Sequence, residues 1–246
     1  MVIAALTKFS VHLYAQLYHM SARMQSSGSQ MGRTGAERSP GLSVSRKQQK
    51  EETRQKLMDA ATAELASGRS FDTLSLREVA KLAGIAPTSF YRHFHDMEGL
   101  GLALIEEHGA GLLTLMHRVR EQASEGRSVI RASVETLFDY IFSNQGVSRM
   151  ILQESLARDS AFRKAAEKLF ITMSVDLADF LVWDAKQRGV PLSHPQLAAN
   201  SAVAILFTTG IALLDRPEDD RSRGIEAAII QLRMIMRGAE AMEKTT

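Results

Sequence analysis

Residues 74–94 read LSLREVAKLAGIAPTSFYRHF, and this stretch decides the fold. Ser75 and Glu78 have the spacing of a capping box, which predicts that a first helix begins at Ser75 and runs to Ala83. Gly84 is suited to end that helix, because glycine adopts the left-handed conformation without steric cost. Pro87 fits the first turn of a second helix, where its missing N–H would have no partner. The stretch therefore predicts two short helices joined by a tight turn.

The second of these helices has an apolar back and a polar front. Phe90 and Phe94 are four residues apart and should anchor it to a core, and Val79 and Leu82 of the first helix are expected to be structural as well. The opposite face carries Thr88, Ser89, Tyr91, Arg92 and His93. This is the pattern of a helix-turn-helix, which places its second helix in the DNA major groove. Similar geometry occurs in proteins that never contact DNA, so the pattern alone leaves that alternative open.

The run Phe90 to Phe94, FYRHF, resembles the Leu-Tyr-x-His-Phe run that is typical of the third helix of the TetR family of bacterial repressors. The longer run SLREVAKLAGIAPTSFYRHF is similar to one branch of that family, the repressors of unsaturated fatty-acid synthesis FabR and DesT. The resemblance is specific over Thr53 to Leu104 and weaker beyond. It implies an all-α fold, in which an N-terminal three-helix helix-turn-helix domain is joined to a C-terminal helical domain for effector binding and dimerisation.

The resemblance also suggests residues for DNA contact. Tyr91 resembles the family's phosphate-binding tyrosine, and Thr53 and His93 are further candidates for phosphate. Thr88 and Ser89 should lie at the start of the recognition helix, where side chains meet base edges. The expected guanine readers are Arg77, which matches a base-reading position of the family, and Arg92; for both, a merely solvated charge is the alternative. The family often has a lysine after this helix, but here the sequence is His95-Asp96-Met97-Glu98.

Charge and composition agree with a DNA-binding head. Residues 1–101 hold 13 Lys and Arg against 9 Asp and Glu, whereas residues 102–246 hold 17 against 19. The basic excess therefore lies with the proposed DNA-binding half, although it is small. Cysteine is absent, which suits a reducing cytoplasm and excludes disulfides and cysteine nucleophiles. No long apolar run without charge predicts a membrane span.

Three regions are expected along the chain. Residues 1–45 are rich in Ser, Gly, Arg and Gln towards their end and should be a disordered or mis-annotated extension; a basic arm that reaches along DNA is the alternative. Residues 46–95 should form the helix-turn-helix domain, and residues 96–241 the helical body. The first body helix is expected from Met97 to about Ala123. The residues on its inner side should be Leu100, Leu104, Gly111, Leu115 and Val119.

The last two helices should mediate dimerisation. They are expected at Gln196 to Leu214 and at Ile225 to Ala241, separated by a polar loop, and they carry more apolar surface than one small body needs. Paired with the same helices of a second copy, they would form a four-helix bundle. A dimer would fit a palindromic DNA operator. The alternative is that this surface is ordinary core.

The body shows no catalytic constellation, no metal-ligand spacing and no cofactor motif, so the sequence predicts a regulator rather than an enzyme. A ligand pocket with an apolar lining is expected between the body helices. The candidate lining residues are Phe138, Phe142, Met150, Phe170, Met173, Phe180, Trp183 and Phe207, and ordinary core is the alternative for each. Arg149, Gln153 and Arg158 are candidates for contact with a thioester, a phosphate or an acidic carrier surface. The resemblance implies a long-chain acyl-CoA or acyl carrier protein thioester as effector. The rival interpretations are a regulator of efflux genes with a drug-like effector and a protein that has lost DNA binding.

Overall fold

The structure, a computed structural model, describes residues 41–122, 128–154 and 160–242. Within these ranges the secondary structure consists of α-helices and a short 3₁₀ turn, and there are no strands. The predicted all-α class is therefore confirmed. The helices are α1 (Gly41–Ala66), α2 (Leu76–Leu82), α3 (Pro87–Phe90), α4 (Met97–Gln122), α5 (Val129–Ser143), α6 (Gln145–Glu154), α7 (Ala161–Arg188), α8 (Pro195–Leu213) and α9 (Glu218–Ala241). Helices α1 to α3 form the head, and α4 to α9 form the body.

The head begins earlier in the chain than expected. Helix α1 starts at Gly41, five residues before residue 46, where the helix-turn-helix domain is predicted to begin. The rest of the predicted extension, residues 1–40, lies outside the described residues. Leu57 and Ala61 of α1 are completely buried, and they pack into the same apolar cluster as Phe90 and Leu100.

Local backbone chemistry explains the two short helices. The side chain of Ser75 accepts a hydrogen bond from the Glu78 N–H at 3.3 Å, and the Ser75 N–H donates to the Glu78 carboxylate at 3.0 Å, which completes the predicted capping box. At the other end of α2, Gly84 has φ +68° and the N–H of Ile85 donates to the Ala80 carbonyl at 2.8 Å. This is a Schellman motif, which fixes the turn before Pro87.

The recognition helix is shorter than its sequence suggests. α3 spans only Pro87–Phe90, and the chain then continues in tight turns in which Arg92 and His93 donate to the carbonyls three residues earlier. Phe90 and Phe94 are both buried, with ring centroids 5.7 Å apart, as expected of residues that anchor this segment. Leu82, in contrast, is 55% exposed, so its predicted role in the core is wrong. It lies in the last turn of α2, beyond the face that Val79 and Ala80 bury.

Head and body share one apolar core rather than two. Helix α4 begins at Met97, and its Leu100 and Leu104 are buried with residues of α1 and α3. Further along α4 the buried stripe runs through Leu112 and Met116, four residues apart. The predicted stripe through Gly111, Leu115 and Val119 is therefore wrong beyond Leu104: Gly111 is exposed, and the other two are half-buried.

Helix α6 makes a very close contact with α1. Gly146, in the first turn of α6, lies against the backbone at the end of α1, and a Cβ added there would sit 2.6 Å from the amide nitrogen of Ala66. Real Cβ atoms do not approach backbone that closely, so only glycine allows this approach without a shift. The same helix carries Ser148, Ile151 and Leu152 into the interior of the body. Helix α6 thus connects the body interior directly to the head.

The last helix begins seven residues earlier than predicted. Residues that the sequence pattern assigned to a polar loop form the first turns of α9, after Pro217. Glu218, Asp219 and Asp220 occupy the first turn, where negative charge is favoured by the helix dipole. The predicted polar loop is therefore wrong over these residues, because their charges suit the start of a helix.

Helix α8 is the central helix of the body. It packs between α7 and α9, and Ala199, Ala202 and Phe207 are among its buried residues. Among the described residues, α8 is the one helix whose length and apolar composition would allow it to cross a membrane. Half of its most apolar 18-residue segment is nevertheless buried in the fold. A core helix of a soluble protein has the same composition, so this is weak evidence for a span.

Candidate nucleic-acid interface

The head presents one polar surface, built by α2, α3 and the turns after α3. Four of the residues predicted to contact DNA are exposed on it: Arg77, Thr88, Tyr91 and Arg92. Ser89 is half-buried beside them. Phe90, whose ring meets that of Tyr91 edge-on at 6.0 Å, lies directly behind and is completely buried. A rigid apolar support therefore holds an exposed phenol and guanidinium groups, an arrangement that can bind phosphates and base edges.

A basic corner lies where α1 meets the end of the recognition segment. His93 is half-buried, and burial, together with the nearby charges of Lys50, Arg54 and Arg92, lowers its pKa. The Arg54 guanidinium stacks over the Phe94 ring at 5.1 Å, which fixes its position. Several cations therefore converge on a neutral imidazole, and this corner can attract a phosphate. The Nδ1 atom of His93 is buried and has no hydrogen-bond partner among the described residues.

Thr53 is half-buried on α1, in the turn that follows Lys50. Its hydroxyl donates to the Gln49 carbonyl at 2.8 Å. To donate to a phosphate, this hydroxyl would have to turn away from the helix backbone. The structure thus places Thr53 near the basic corner but with its hydrogen already engaged.

The segment in which the family often has a lysine is occupied by a helix cap. The Asp96 carboxylate accepts a hydrogen bond from the Gly99 N–H at 2.8 Å, and its other oxygen lies 2.8 Å from Nδ1 of His95. These contacts lower the pKa of Asp96, so the carboxylate is charged at neutral pH. A negative charge therefore already uses the start of α4, where a DNA phosphate would otherwise find backbone N–H groups.

The described part of the body contains two adjacent cavities between its helices. The His108 cavity, of about 60 Å³, is bounded by α4 to α8, and its polar side chains are those of His108 and Ser148. The Arg120 cavity, of about 80 Å³, lies beside it and includes Arg120, Asp176 and Ser133 in its wall. The cavities share four lining residues, which are Leu137, Met173, Val203 and Leu206. A thin apolar partition therefore separates them.

The predicted pocket residues divide into two groups. Phe170, Met173 and Phe207 line the His108 cavity, and Met173 and Phe180 line the Arg120 cavity. Phe138, Phe142, Met150 and Trp183 line neither. Phe138 and Phe142 stack at 5.8 Å towards α9, Met150 is buried in the core shared with the head, and Trp183 is 51% exposed. Aromatic content alone did not distinguish a cavity wall from core or surface.

The charged residues near the cavities are paired within the protein. Arg120 binds Asp176 at 2.5 Å and stacks on Phe180, and His117 lies 2.9 Å from the same carboxylate. Arg149, expected to contact a ligand, instead forms two hydrogen bonds with Asp215, at 2.6 and 3.0 Å. Gln153 is exposed, and Arg158 lies outside the described residues. No group of three metal-ligating side chains occurs in the part of the chain that the structure describes.

His108 was missed as a pocket residue, although a signal existed. It lies four residues after Leu104 and four before Leu112, which places it on the inner stripe of α4. In the structure its Nε2 is 3.3 Å from the Ser148 hydroxyl, and its ring lies 4.7 Å from that of Tyr140. Burial lowers the pKa of His108 to about 4. A neutral imidazole backed by a hydroxyl can exchange hydrogen bonds with a ligand, but at neutral pH it offers no positive charge.

The burial of His108 predicts a specific loss of stability in acid. Its pKa falls from 6.5 to about 4 on folding, so only the unfolded chain gains this proton as the pH drops from 6.5 towards 4. Above that window the group contributes nothing; across it the free energy of unfolding should fall by up to about 3 kcal/mol. Urea unfolding of wild type and His108→Gln at pH 7.5 and 4.5 measures this. His93 titrates in both proteins, so equal pH dependence in the two would contradict the burial of His108.

Comparisons with known proteins agree with this geometry. Residues 59–104 match the family model described as bacterial regulatory proteins, tetR family. Among solved structures, FadR of Thermus thermophilus in complex with lauroyl-CoA is similar with a TM-score of 0.58 at 17% identity, over 78% of this chain and 97% of that one.

Two further structures share the fold. FadR of Bacillus halodurans, a fatty acid degradation regulator, gives a TM-score of 0.56 at 15% identity over 77% of this chain and 99% of that one. The reduced form of E. coli NemR gives 0.58 at 21% identity over 75% and 97%. At these identities the similarity establishes the fold, and the family model identifies the head. The match to the tetR family model therefore covers the head, and the solved structures show the fold that head and body share.

Proposed function

We propose that the protein is a dimeric, cytoplasmic repressor of genes for unsaturated fatty-acid synthesis or desaturation, and that a long-chain acyl thioester controls its binding to DNA. The proposed effector rests on the two apolar cavities of the body. The charged side chains in their walls, Arg120 and Asp176, are already paired with each other. Such a site favours a long hydrocarbon chain over a charged ligand, because an unpaired charge is costly to bury.

In this proposal the polar surface of the head binds the operator. Tyr91 and His93 bind phosphates and so position the head on the duplex, and Thr53 joins them when its hydroxyl turns away from the Gln49 carbonyl. Thr88 and Ser89, at the start of the recognition helix, contact base edges together with the side chains of Arg77 and Arg92. The exposure of both arginines supports this role, since neither is held by an ion pair with a carboxylate in the described residues. An exposed guanidinium can make a bidentate contact with guanine.

The operator is read by two copies of the chain. Ile230 and Met234 of α9 are 55% and 68% exposed and lie four residues apart, so they share one outward helix face. Large apolar side chains exposed in a row are typical of a surface that a partner covers. Pairing of α8 and α9 with their counterparts would create a four-helix bundle. The two heads would then be related by a two-fold axis, as a palindromic operator requires.

A long acyl chain must enlarge the cavities in order to bind. Neither cavity reaches the roughly 150 Å³ at which an engineered apolar cavity holds benzene. Displacement of Met173 and Leu206, which belong to the shared partition, would join the two spaces. Ser148, Ile151 and Leu152 of α6 form part of the wall, so an expanded cavity displaces α6 and, through Gly146, the end of α1. The effector then acts by its different affinity for two arrangements of the heads.

A regulator of efflux genes is the alternative function. An acidic side chain inside the pocket would favour a cationic drug, and Asp176 does line the Arg120 cavity. Its carboxylate, however, binds Arg120 and lies beside His117. A cationic drug would have to displace Arg120 to reach it. The acyl thioester is therefore the effector that the site supports better.

The direct test measures binding of the purified protein to its own upstream DNA and to promoters of desaturase and unsaturated fatty-acid genes. Palmitoyl-CoA and oleoyl-CoA are added at equal concentration, and coenzyme A alone is the control. We expect specific binding whose affinity differs at least tenfold between the two acyl chains. Specific binding that ignores both acyl chains would reject the effector, and binding equal to that of random DNA at moderate salt would reject the DNA-binding function.

A further inference from the structure

The His108 cavity contains one polar feature in an otherwise apolar wall. Ser148 is only 3% exposed, and its hydroxyl lies 3.3 Å from Nε2 of His108. The two side chains come from α6 and α4, and both border the cavity. The other lining residues are glycine or apolar. Buried polar groups are costly unless they are hydrogen-bonded. A polar pair at the edge of an apolar space therefore favours a ligand that brings a hydrogen-bonding group to it.

The pair can donate or accept, according to the tautomer of His108. When Nε2–H donates to the Ser148 oxygen, the Ser148 O–H is free to donate to a ligand carbonyl. When Nε2 instead accepts from Ser148, the serine oxygen keeps a lone pair for a ligand hydroxyl. Tyr140 stabilises this arrangement from behind, because its hydroxyl donates to the backbone carbonyl of His108 at 3.0 Å. In either tautomer the pair remains uncharged.

We propose that Ser148 and His108 form a binding site for the neutral carbonyl or hydroxyl group of a hydrocarbon-chain ligand, and that the same site excludes free carboxylates. This inference deepens the proposed function, since a thioester carbonyl is neutral whereas a fatty acid at neutral pH is not. A carboxylate would enter a space that holds no cation. A fatty acid would therefore have to bind in its neutral, protonated form. For an acid whose pKa lies near 4.5, less than about one molecule in a hundred is protonated at pH 7.

The two titratable side chains next to the His108 cavity, His108 and Tyr140, do not change charge between pH 6 and 8. The pKa of His108 is about 4 and that of Tyr140 is raised by burial, so both stay neutral between pH 6 and 8. Glu107, the next residue of α4, is exposed and accepts a hydrogen bond from Gln55 at 3.1 Å, outside the cavity wall. Any pH dependence of acid binding in this range therefore belongs to the ligand.

Calorimetric titration of the full-length protein with methyl octanoate, 1-octanol and sodium octanoate tests the site without DNA. At pH 7 the ester and the alcohol should bind, and octanoate should bind at least 100-fold more weakly. Octanoate affinity should rise about tenfold for each unit of pH decrease from 8 to 6, while ester affinity stays constant. The ester arm tests the carbonyl and the alcohol arm tests the hydroxyl. Octanoate that binds as tightly as the ester, with no pH dependence, would overturn the proposal.

Two serine variants separate this site from a general effect on the cavities. Ser148→Ala should weaken methyl octanoate about five- to tenfold, the value of one net hydrogen bond. Ser133→Ala, in the wall of the neighbouring Arg120 cavity, is the matched control and should change affinity less than twofold. His108→Gln, which keeps a neutral hydrogen-bonding group, should retain the preference for ester over octanoate. Equal effects of the two serine variants would refute the assignment, whereas loss of DNA regulation with ester binding intact would refute only the proposed function.

Discussion

Ile230→Glu combined with Met234→Glu is expected to make the protein monomeric and to lower its operator affinity at least 100-fold. Both side chains are exposed on one face of α9, so the change should not disturb the monomer core. Four like charges would face one another across a two-fold axis and lose apolar contacts. Without the dimer, the second head no longer binds at the high effective concentration that the linkage provides. Sedimentation velocity gives the mass, and fluorescence anisotropy gives the operator affinity.

Val182→Glu is the matched control for this prediction. Val182 is 50% exposed on α7, outside the proposed interface, so the variant should remain a dimer with unchanged operator binding. Circular dichroism should show the same helix content in all three proteins. A double variant that stays dimeric would place the interface elsewhere, and a monomeric Val182→Glu would locate it at the end of α7.

Arg77→Ala is expected to lower operator affinity by about 30-fold or more while changing affinity for random DNA less than threefold. One bidentate contact with guanine contributes about 1–3 kcal/mol of discrimination, and a dimer would make it twice. Arg77 is exposed on α2. Arg77→Lys should restore little, because an ammonium group cannot make the paired contact. Anisotropy titrations with operator, with random duplex and with an operator altered at guanine positions measure the discrimination.

Lys81→Ala provides the comparison for Arg77. Lys81 lies on the same helix, one turn further along, and is also exposed. Loss of a lysine that binds only phosphates should weaken operator and random DNA alike and reduce the salt dependence. If Arg77→Ala behaves in this same way, Arg77 binds a phosphate rather than a base.

The head was well predicted because its signals are local. Ser75, Glu78, Gly84 and Pro87 act through backbone hydrogen bonds and φ angles within a few residues of themselves, and these are readable from spacing. Leu82 failed for a different reason. Its position on the helix suits burial, but whether that face is covered depends on helices far away in the sequence.

The cavity could be predicted only in part for the same reason. A long aromatic side chain in an all-helical body is either core, cavity wall or dimer surface, and periodicity does not separate these three. Phe170 and Phe207 line a cavity with their rings 4.3 Å apart, while Phe138 is core and Trp183 is exposed. His108 and Ser148 are 40 residues apart, so their pairing depended on how α4 and α6 pack.

The contact at Gly146 has a consequence for how such a protein acquires new effectors. The closest approach of α6 to α1, at Gly146, is between backbones, whereas Ser148 lies against His108 in the cavity wall. Ser148 can therefore be exchanged without removing the backbone contact at Gly146, whereas Ile151 and Leu152 also belong to the core shared with the head. In the proposed mechanism, ligand preference and signal transmission are carried by different atoms of one ten-residue helix. A change of effector then needs only a few substitutions on one side of α6, provided that the glycine on the other side is kept.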